Sequence, residues 1–107
     1  MTEKKTCLRA IPRVVAEIVG GKRFRVVGRD AETLLLLVRR GERGVTAFDF
    51  PGGPAFRLGA YVHDLRREGL GIRTEREPHD GGTHARYVLE TPVTVIGVDV
   101  GVSSAAA

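Results

Sequence analysis

Between Pro54 and Glu90 the hydrophobic period of the chain changes abruptly. Leu58, Tyr61, Val62 and Leu65 recur at three- and four-residue intervals, and Gly69 follows where a helix of that phase would stop. Ile72 and Thr74 then alternate with charged residues, Glu77 to Gly82 interrupts the alternation, and Tyr87 and Leu89 resume it. This pattern predicts an amphipathic helix over about 54–69, followed by a β-hairpin whose polar tip covers about 76–85.

Upstream, Asp30 stands where an N-cap would and Thr33 lies three residues on, so half of a capping box opens an apolar run, Leu34 to Val38, that ends at Gly41. That run predicts a first helix buried over most of its surface. Gly44-Val45-Thr46 reads as a short strand, and Thr46 as the cap of a brief second helix through Phe48 and Phe50. Pro51-Gly52-Gly53-Pro54 then forces a turn. The order is helix, short strand, short helix, turn, helix, hairpin.

The flanks read as strands. Ile11, Val14, Val15, Ile18 and Val19 fall on helical spacing, with Pro12 suited to a first turn and Gly20 to a cap. Their β-branched content and the Gly20-Gly21 pair favour a hairpin with Arg23–Val27, where Phe24 and Val26 alternate with Arg23, Arg25 and Val27. Beyond Pro92, Thr94, Ile96, Val98 and Val100 share one side of a further strand. Such a strand needs a partner, either in its own chain or in a second copy; the latter would make a two-fold homodimer suited to a palindromic site. Ser103 to Ala107 is expected to be disordered.

Arg57-Leu58, Val62, Leu65-Arg66, Gly69, Ile72, Thr74 and Arg86-Tyr87-Val88-Leu89 together resemble a pattern of small bacterial and phage winged-helix proteins. The resemblance covers about residues 28–92. It implies an α+β winged helix-turn-helix of three helices with a C-terminal β-hairpin wing, here with added N- and C-terminal strands. By that reading residues 1–27 are a basic extension, 28–92 the winged-helix domain, and 93–107 a strand and tail. The resemblance also implies DNA binding and an origin in a phage or mobile element. The departure from the pattern is Pro51 to Pro54, ahead of the third helix.

A chain of 107 residues supports one modest core. No apolar run approaches the span of a membrane helix, and the basic N-terminus lacks the apolar stretch of a secretory signal, so a cytoplasmic protein without membrane attachment is expected. A single cysteine, Cys7, agrees with a reducing compartment. His63, His79 and His84 do not fall in a spacing typical of zinc, and no hydrolase, protease or nucleotide-binding motif is present. Neither a metal, nor a cofactor, nor an enzymatic activity is expected.

The net charge of +4 favours a polyanionic partner, but it is unevenly spread. Residues 1–45 hold eleven Lys or Arg against five acids, whereas residues 46–107 hold six against eight. The half with the third helix and the wing is therefore slightly acidic, which argues against simple phosphate neutralisation there.

On a helical projection the face opposite Leu58, Tyr61, Val62 and Leu65 presents Ala60, His63, Asp64 and Arg67, flanked by Arg57 and Arg66. Ala60 is small enough for close approach to a base, and Arg57 and Arg67 can take guanine or phosphate. In the wing, Arg76 and His79 near the Gly81-Gly82 tip are placed for backbone or minor groove, while Arg86 suits a structural pairing with Glu75 or Glu77. The candidate contacts to double-stranded DNA are therefore Arg57, Ala60, His63, Arg66, Arg67, Arg76 and His79. A sequence-specific transcriptional regulator is the leading expectation. The alternative is a protein-protein interaction module with only weak, non-specific nucleic-acid binding.

Overall fold

The computed structural model describes residues 8–50 and 55–104. The turn expected at 51–54, Cys7 and the last three residues of the tail lie outside them. Five strands and two α-helices follow in the order β1 (Leu8–Ile18), β2 (Arg23–Val27), α1 (Gly28–Arg40), α2 (Leu58–Arg67), β3 (Ile72–His79), β4 (Gly82–Leu89) and β5 (Val93–Ser104). Single turns of 3₁₀ helix at Gly41–Arg43 and Ala47–Asp49 lie between the two α-helices.

The N-terminal hairpin forms. β1 pairs antiparallel with β2 on one side and with β5 on the other, giving a three-stranded sheet in the order β2-β1-β5. The C-terminal strand thus takes its partner from its own chain. It also takes in Ser103 and Ser104, which pair with Arg9 and Leu8 where a disordered tail was expected. A register shift between Val15 and Ala16 leaves Ile96 as an extra residue on β5. The shift breaks the expected alternation: Val93 and Val95 pack against the core, while Ile96 and Val98 are exposed.

The chain passes from β2 into α1 without a loop, with Gly28 at φ 66° making the corner. The helix therefore starts two residues before Asp30, which sits in its first turn instead of capping it; Val27 is the N-cap and has no side-chain cap bond. Thr33 does not complete a capping box. Its buried hydroxyl donates to the Arg29 carbonyl at 2.8 Å.

The three helices expected become two. Between Val45 and Pro51 only the 3₁₀ turn Ala47–Asp49 forms, closed by a full capping box in which Asp49 accepts from the Thr46 N–H at 2.7 Å. Phe50 precedes a proline, which disfavours helical backbone, and it is extended at φ −81°, ψ 136°. Too little chain remains for a regular second helix.

α2 is shorter than the expected 54–69. Its end is a Schellman arrangement: Gly69, at φ 102°, donates to Arg66 O, Leu70 donates to Leu65 O at 3.5 Å, and Leu70 is buried beneath the turn. The following hairpin is tighter than expected. β3 and β4 pair from Ile72↔Leu89 to His79↔Gly82, so the expected long tip contracts to Asp80-Gly81, with Gly81 at φ 86°.

One core joins these parts. Val14 and Ala16 of β1, Phe24 and Val26 of β2, Ala31, Leu34, Leu36 and Leu37 of α1, and Leu58, Val62 and Leu65 of α2 belong to one buried cluster. Leu58, Val62 and Leu65 are each no more than 3% exposed, so the predicted stripe is the one α2 turns inward. Val38 is 37% exposed and lies off that interface.

Candidate nucleic-acid interface

With its apolar stripe buried, α2 has no freedom to rotate, and Ala60, His63, Asp64, Arg66 and Arg67 are all exposed. Arg57 is the exposed N-cap residue, and its carbonyl accepts from Ala60 N at 2.9 Å. The helix therefore offers solvent a short, rigid surface whose centre is the methyl group of Ala60.

The cations on this surface have separate duties. Arg66 donates to Ile72 O at 2.6 Å and Thr74 Oγ1 at 2.9 Å, tying the end of α2 to the start of β3. Arg57 and Arg67 have no ion-pair partner within 4.0 Å among the described residues. Asp64 turns back towards the first turn of α1. There, burial first and the neighbouring Asp64 carboxylate second push Asp30 up to about 6 from the ordinary 3.8. Arg67 and Glu68 line the same shallow depression as these two acids.

The hairpin is held against this body at Val45, which exchanges two backbone hydrogen bonds with Tyr87, at 2.8 and 2.9 Å. Gly44 makes that approach possible. A Cβ there would stand 2.8 Å from Tyr87 O and 2.8 Å from Arg86 Cγ. The short strand read at Gly44-Val45-Thr46 is thus a bridge to β4.

Along the hairpin, Arg73 bonds Glu75 at 2.9 Å and Glu90 at 2.8 Å. Arg86 takes the structural role expected of it: its Nε donates to Glu77 Oε2 and its Nη1 to Arg43 O at 2.7 Å. The first of these bonds holds the Glu77 carboxyl below the ordinary carboxylate range. His79 and His84 meet through their Nδ1 atoms at 2.7 Å, one ring donating and the other accepting, and the two rings stack. His79 therefore already has a partner within the hairpin. Arg76 is exposed and has no partner among the described residues.

A bridge strand, an anchored helix and a hairpin docked beside it, in that order, define the class. The model of the winged helix domain family matches residues 23–99. The chain belongs to the winged helix domain family. Searches among curated proteins and among solved structures found no match. Winged helix domains as a class have DNA-binding capacity, and in this one α2 occupies the place of the third helix while β3 and β4 form the wing. The matched span takes in β2 and just over half of β5 but not β1, so the sheet is partly an addition to the winged-helix elements.

The pairings also change the meaning of the acidic count in residues 46–107. Of the eight acids there, Asp49 pairs with Arg40, Glu68 with Lys22, Glu75 and Glu90 with Arg73, Glu77 with Arg86 and Asp99 with Arg13. Asp64 and Asp80 remain without a cation partner among the described residues. Four cations of the same stretch, Arg57, Arg66, Arg67 and Arg76, have no acid partner among the described residues, and Arg66 is held by neutral groups, so the local acid excess is spent inside the fold.

Arg39 and Arg43, near the end of α1, are two further exposed cations without an ion-pair partner among the described residues. They were not singled out from the sequence, because only the docking of β4 beside Arg43 brings that turn next to the wing. Among the described residues no helix is long and apolar enough to cross a membrane, and no group of three His, Cys, Asp or Glu could hold a metal ion.

Proposed function

We propose that this winged helix protein is a cytoplasmic, sequence-specific transcriptional regulator without enzymatic activity, laying α2 in the major groove of double-stranded DNA and its wing along the backbone. The observation that carries the reading is the outer face of α2. A fully buried stripe fixes the rotation of the helix, and what it leaves outside is a small residue flanked by Arg57 and Arg67, with His63 beside them. Small residues permit close approach to base edges, and free guanidinium groups bond guanine in a bidentate fashion. Arg66 and His79 are each held by an internal partner through one nitrogen, whereas Arg76 has no partner among the described residues, so Arg76 is the principal wing contact in this reading.

A cognate duplex recovered by selection from a random pool provides the test, with binding followed by fluorescence anisotropy at two salt concentrations. Arg57→Ala or Arg67→Ala should reduce discrimination between cognate and random duplex by about 1–3 kcal/mol. Arg76→Ala should weaken both about equally and make the salt dependence shallower by about one charge. Equal discrimination by wild type and by the Arg57/Arg67 double variant would remove α2 from the groove.

A second reading, a protein-protein interaction module with weak non-specific nucleic-acid binding, is favoured by two exposed aromatics. Phe56 is 83% and Phe48 60% exposed, and Phe48 meets His84 edge-on at 5.9 Å. It predicts that Phe56→Ser leaves duplex binding untouched and that no cognate sequence emerges from selection.

A further inference from the structure

We infer that the outer edge of β5 is a self-association surface, along which two copies pair β5 to β5, antiparallel, about a two-fold axis. The two three-stranded sheets would become one of six, ordered β2-β1-β5-β5-β1-β2. The inference goes beyond the DNA-binding reading and does not depend on it.

The edge itself makes the first argument. β5 is twelve residues long and, among the described residues, pairs only with β1. A strand edge carries a row of unpaired N–H and C=O groups, and monomeric proteins blunt such rows with lysine, proline, bulges or short length. Here Val93 to Ser104 contains no lysine, arginine or proline. Its one charged residue, Asp99, is already paired with Arg13 at 2.9 Å. The bulge at Ile96 lies near one end, and from Gly97 to Ser104 β5 matches β1 residue for residue, Gly97↔Val15 through Ser104↔Leu8. The opposite edge of the sheet is protected: β2 has five residues and exposes Arg23 and Arg25.

Exposure makes the second argument. Val98 lies directly across from Val14, which is fully buried, yet Val98 is 53% exposed and Ile96 45%. The core takes in Val93 and Val95 but does not cover Ile96 and Val98, leaving apolar surface beside the open edge.

Charge selects the register. A two-fold antiparallel pair sets one residue opposite its own copy. An axis at Asp99 would oppose two carboxylates, which is unfavourable. An axis at Val100 sets Asp99 opposite Gly101 of the partner subunit, preserves the ion pair with Arg13, and sets Val98 opposite Val102 of the partner subunit. The ladder then runs from Gly97 to Ser103, within the regular part of the strand. Three valine pairs, Val100 opposite its own copy among them, and a charge facing a glycine are what this edge can offer a second copy.

The test uses the full chain with Cys7→Ser, so that introduced cysteines are the only ones. In sedimentation equilibrium the protein should form dimers at micromolar concentration. Val98→Lys should weaken the dimer about tenfold or more while leaving the far-ultraviolet circular dichroism unchanged. Val100→Cys should form an intermolecular disulfide on mild oxidation, since directly paired antiparallel residues lie about 4.5–5.5 Å apart at Cα, within disulfide reach. Gly97→Cys should not, because three residues on each side of the axis separate the two copies by about 20 Å. A monomer at several hundred micromolar overturns the proposal. So does a dimer that tolerates Val98→Lys and is not cross-linked through Val100→Cys, which would place the interface elsewhere.

Discussion

Gly44→Ala should loosen the wing more than any other single methyl group added to a glycine. Gly44 has φ 72° and ψ −177°, a backbone region open almost only to glycine, where a side chain costs about 1–3 kcal/mol. The added Cβ would also stand 2.8 Å from the carbonyl oxygen of Tyr87, 2.8 Å from Arg86 Cγ and 3.0 Å from Val88 Cγ2. The arginine side chain can move, but the carbonyl belongs to β4 and Val88 is fully buried. Relief therefore requires β4 to withdraw, at the expense of the two Val45–Tyr87 hydrogen bonds, each contributing about 0.5–1.5 kcal/mol. The combined loss is about 2–6 kcal/mol, a large share of the stability of a small domain. Gly81→Ala is the control, because Gly81 also has positive φ, 86°, but an added Cβ meets nothing within 4 Å. Its cost should stay near the conformational penalty alone, about 1–2 kcal/mol. Urea unfolding followed by circular dichroism measures both, and amide exchange at Val45 and Tyr87 locates the damage. If Gly44→Ala is no more destabilising than Gly81→Ala, the close approach of β4 is not what demands glycine at this position.

Leu65→Ala removes a fully buried side chain between α1 and α2 and should cost about 2–5 kcal/mol in urea unfolding; a loss under about half a kcal/mol would mean the stripe does not anchor the helix. Asp30, raised to about 6 from 3.8, binds its proton more tightly folded than unfolded, so its contribution to stability falls as pH rises between those values. Asp30→Asn should therefore gain on wild type progressively from about pH 4 to about pH 6 in thermal unfolding, and a difference independent of pH would refute the raised proton affinity of Asp30. In Arg86→Met the Glu77 carboxyl, observed by NMR titration, should move up towards its ordinary value, because its main hydrogen-bond donor is gone; no movement would show that Arg86 does not hold it.

Much of this fold is local and therefore legible along the chain. The stripe of α2, its stop at Gly69 and the stop of α1 at Gly41 each depend on residues a few positions apart. The N-terminal hairpin was favoured by its β-branched residues and Gly20-Gly21, but the helical spacing of Ile11 to Val19 left the choice open until β1 and β2 were seen to pair. The reading went astray where a local signal met a geometric limit. Thr46 caps as expected, but the chain between the bridge and Pro51 is too short for more than one 3₁₀ turn. Asp30 has the chemistry of a cap, yet α1 begins at the corner made by Gly28 because β2 feeds it without a loop. Period-two reasoning put Thr94, Ile96, Val98 and Val100 on one side of β5, but one extra residue opposite Val15 and Ala16 breaks that alternation, and it is Val93 and Val95 that pack against the core.

The candidate site shows the same division more sharply. Side chains that leave α2 opposite its stripe follow from helical geometry alone, so the exposure of Ala60, His63 and Arg67 was determined by the sequence. Which charges are free to meet a ligand was not, because a charged side chain is engaged by whatever the fold brings within hydrogen-bonding or ion-pairing distance of it. Arg66 is spent on Ile72 and Thr74, Arg86 on Glu77 and Arg43, and Lys22 reaches Glu68 across 46 positions. Counting acids and bases along the chain sums charge over sequence, whereas Coulomb interactions depend on distance in space. Only the tertiary structure, by pairing six of the eight acids in residues 46–107, left Arg57, Arg67 and Arg76 without a partner among the described residues, on a surface that the linear count made acidic.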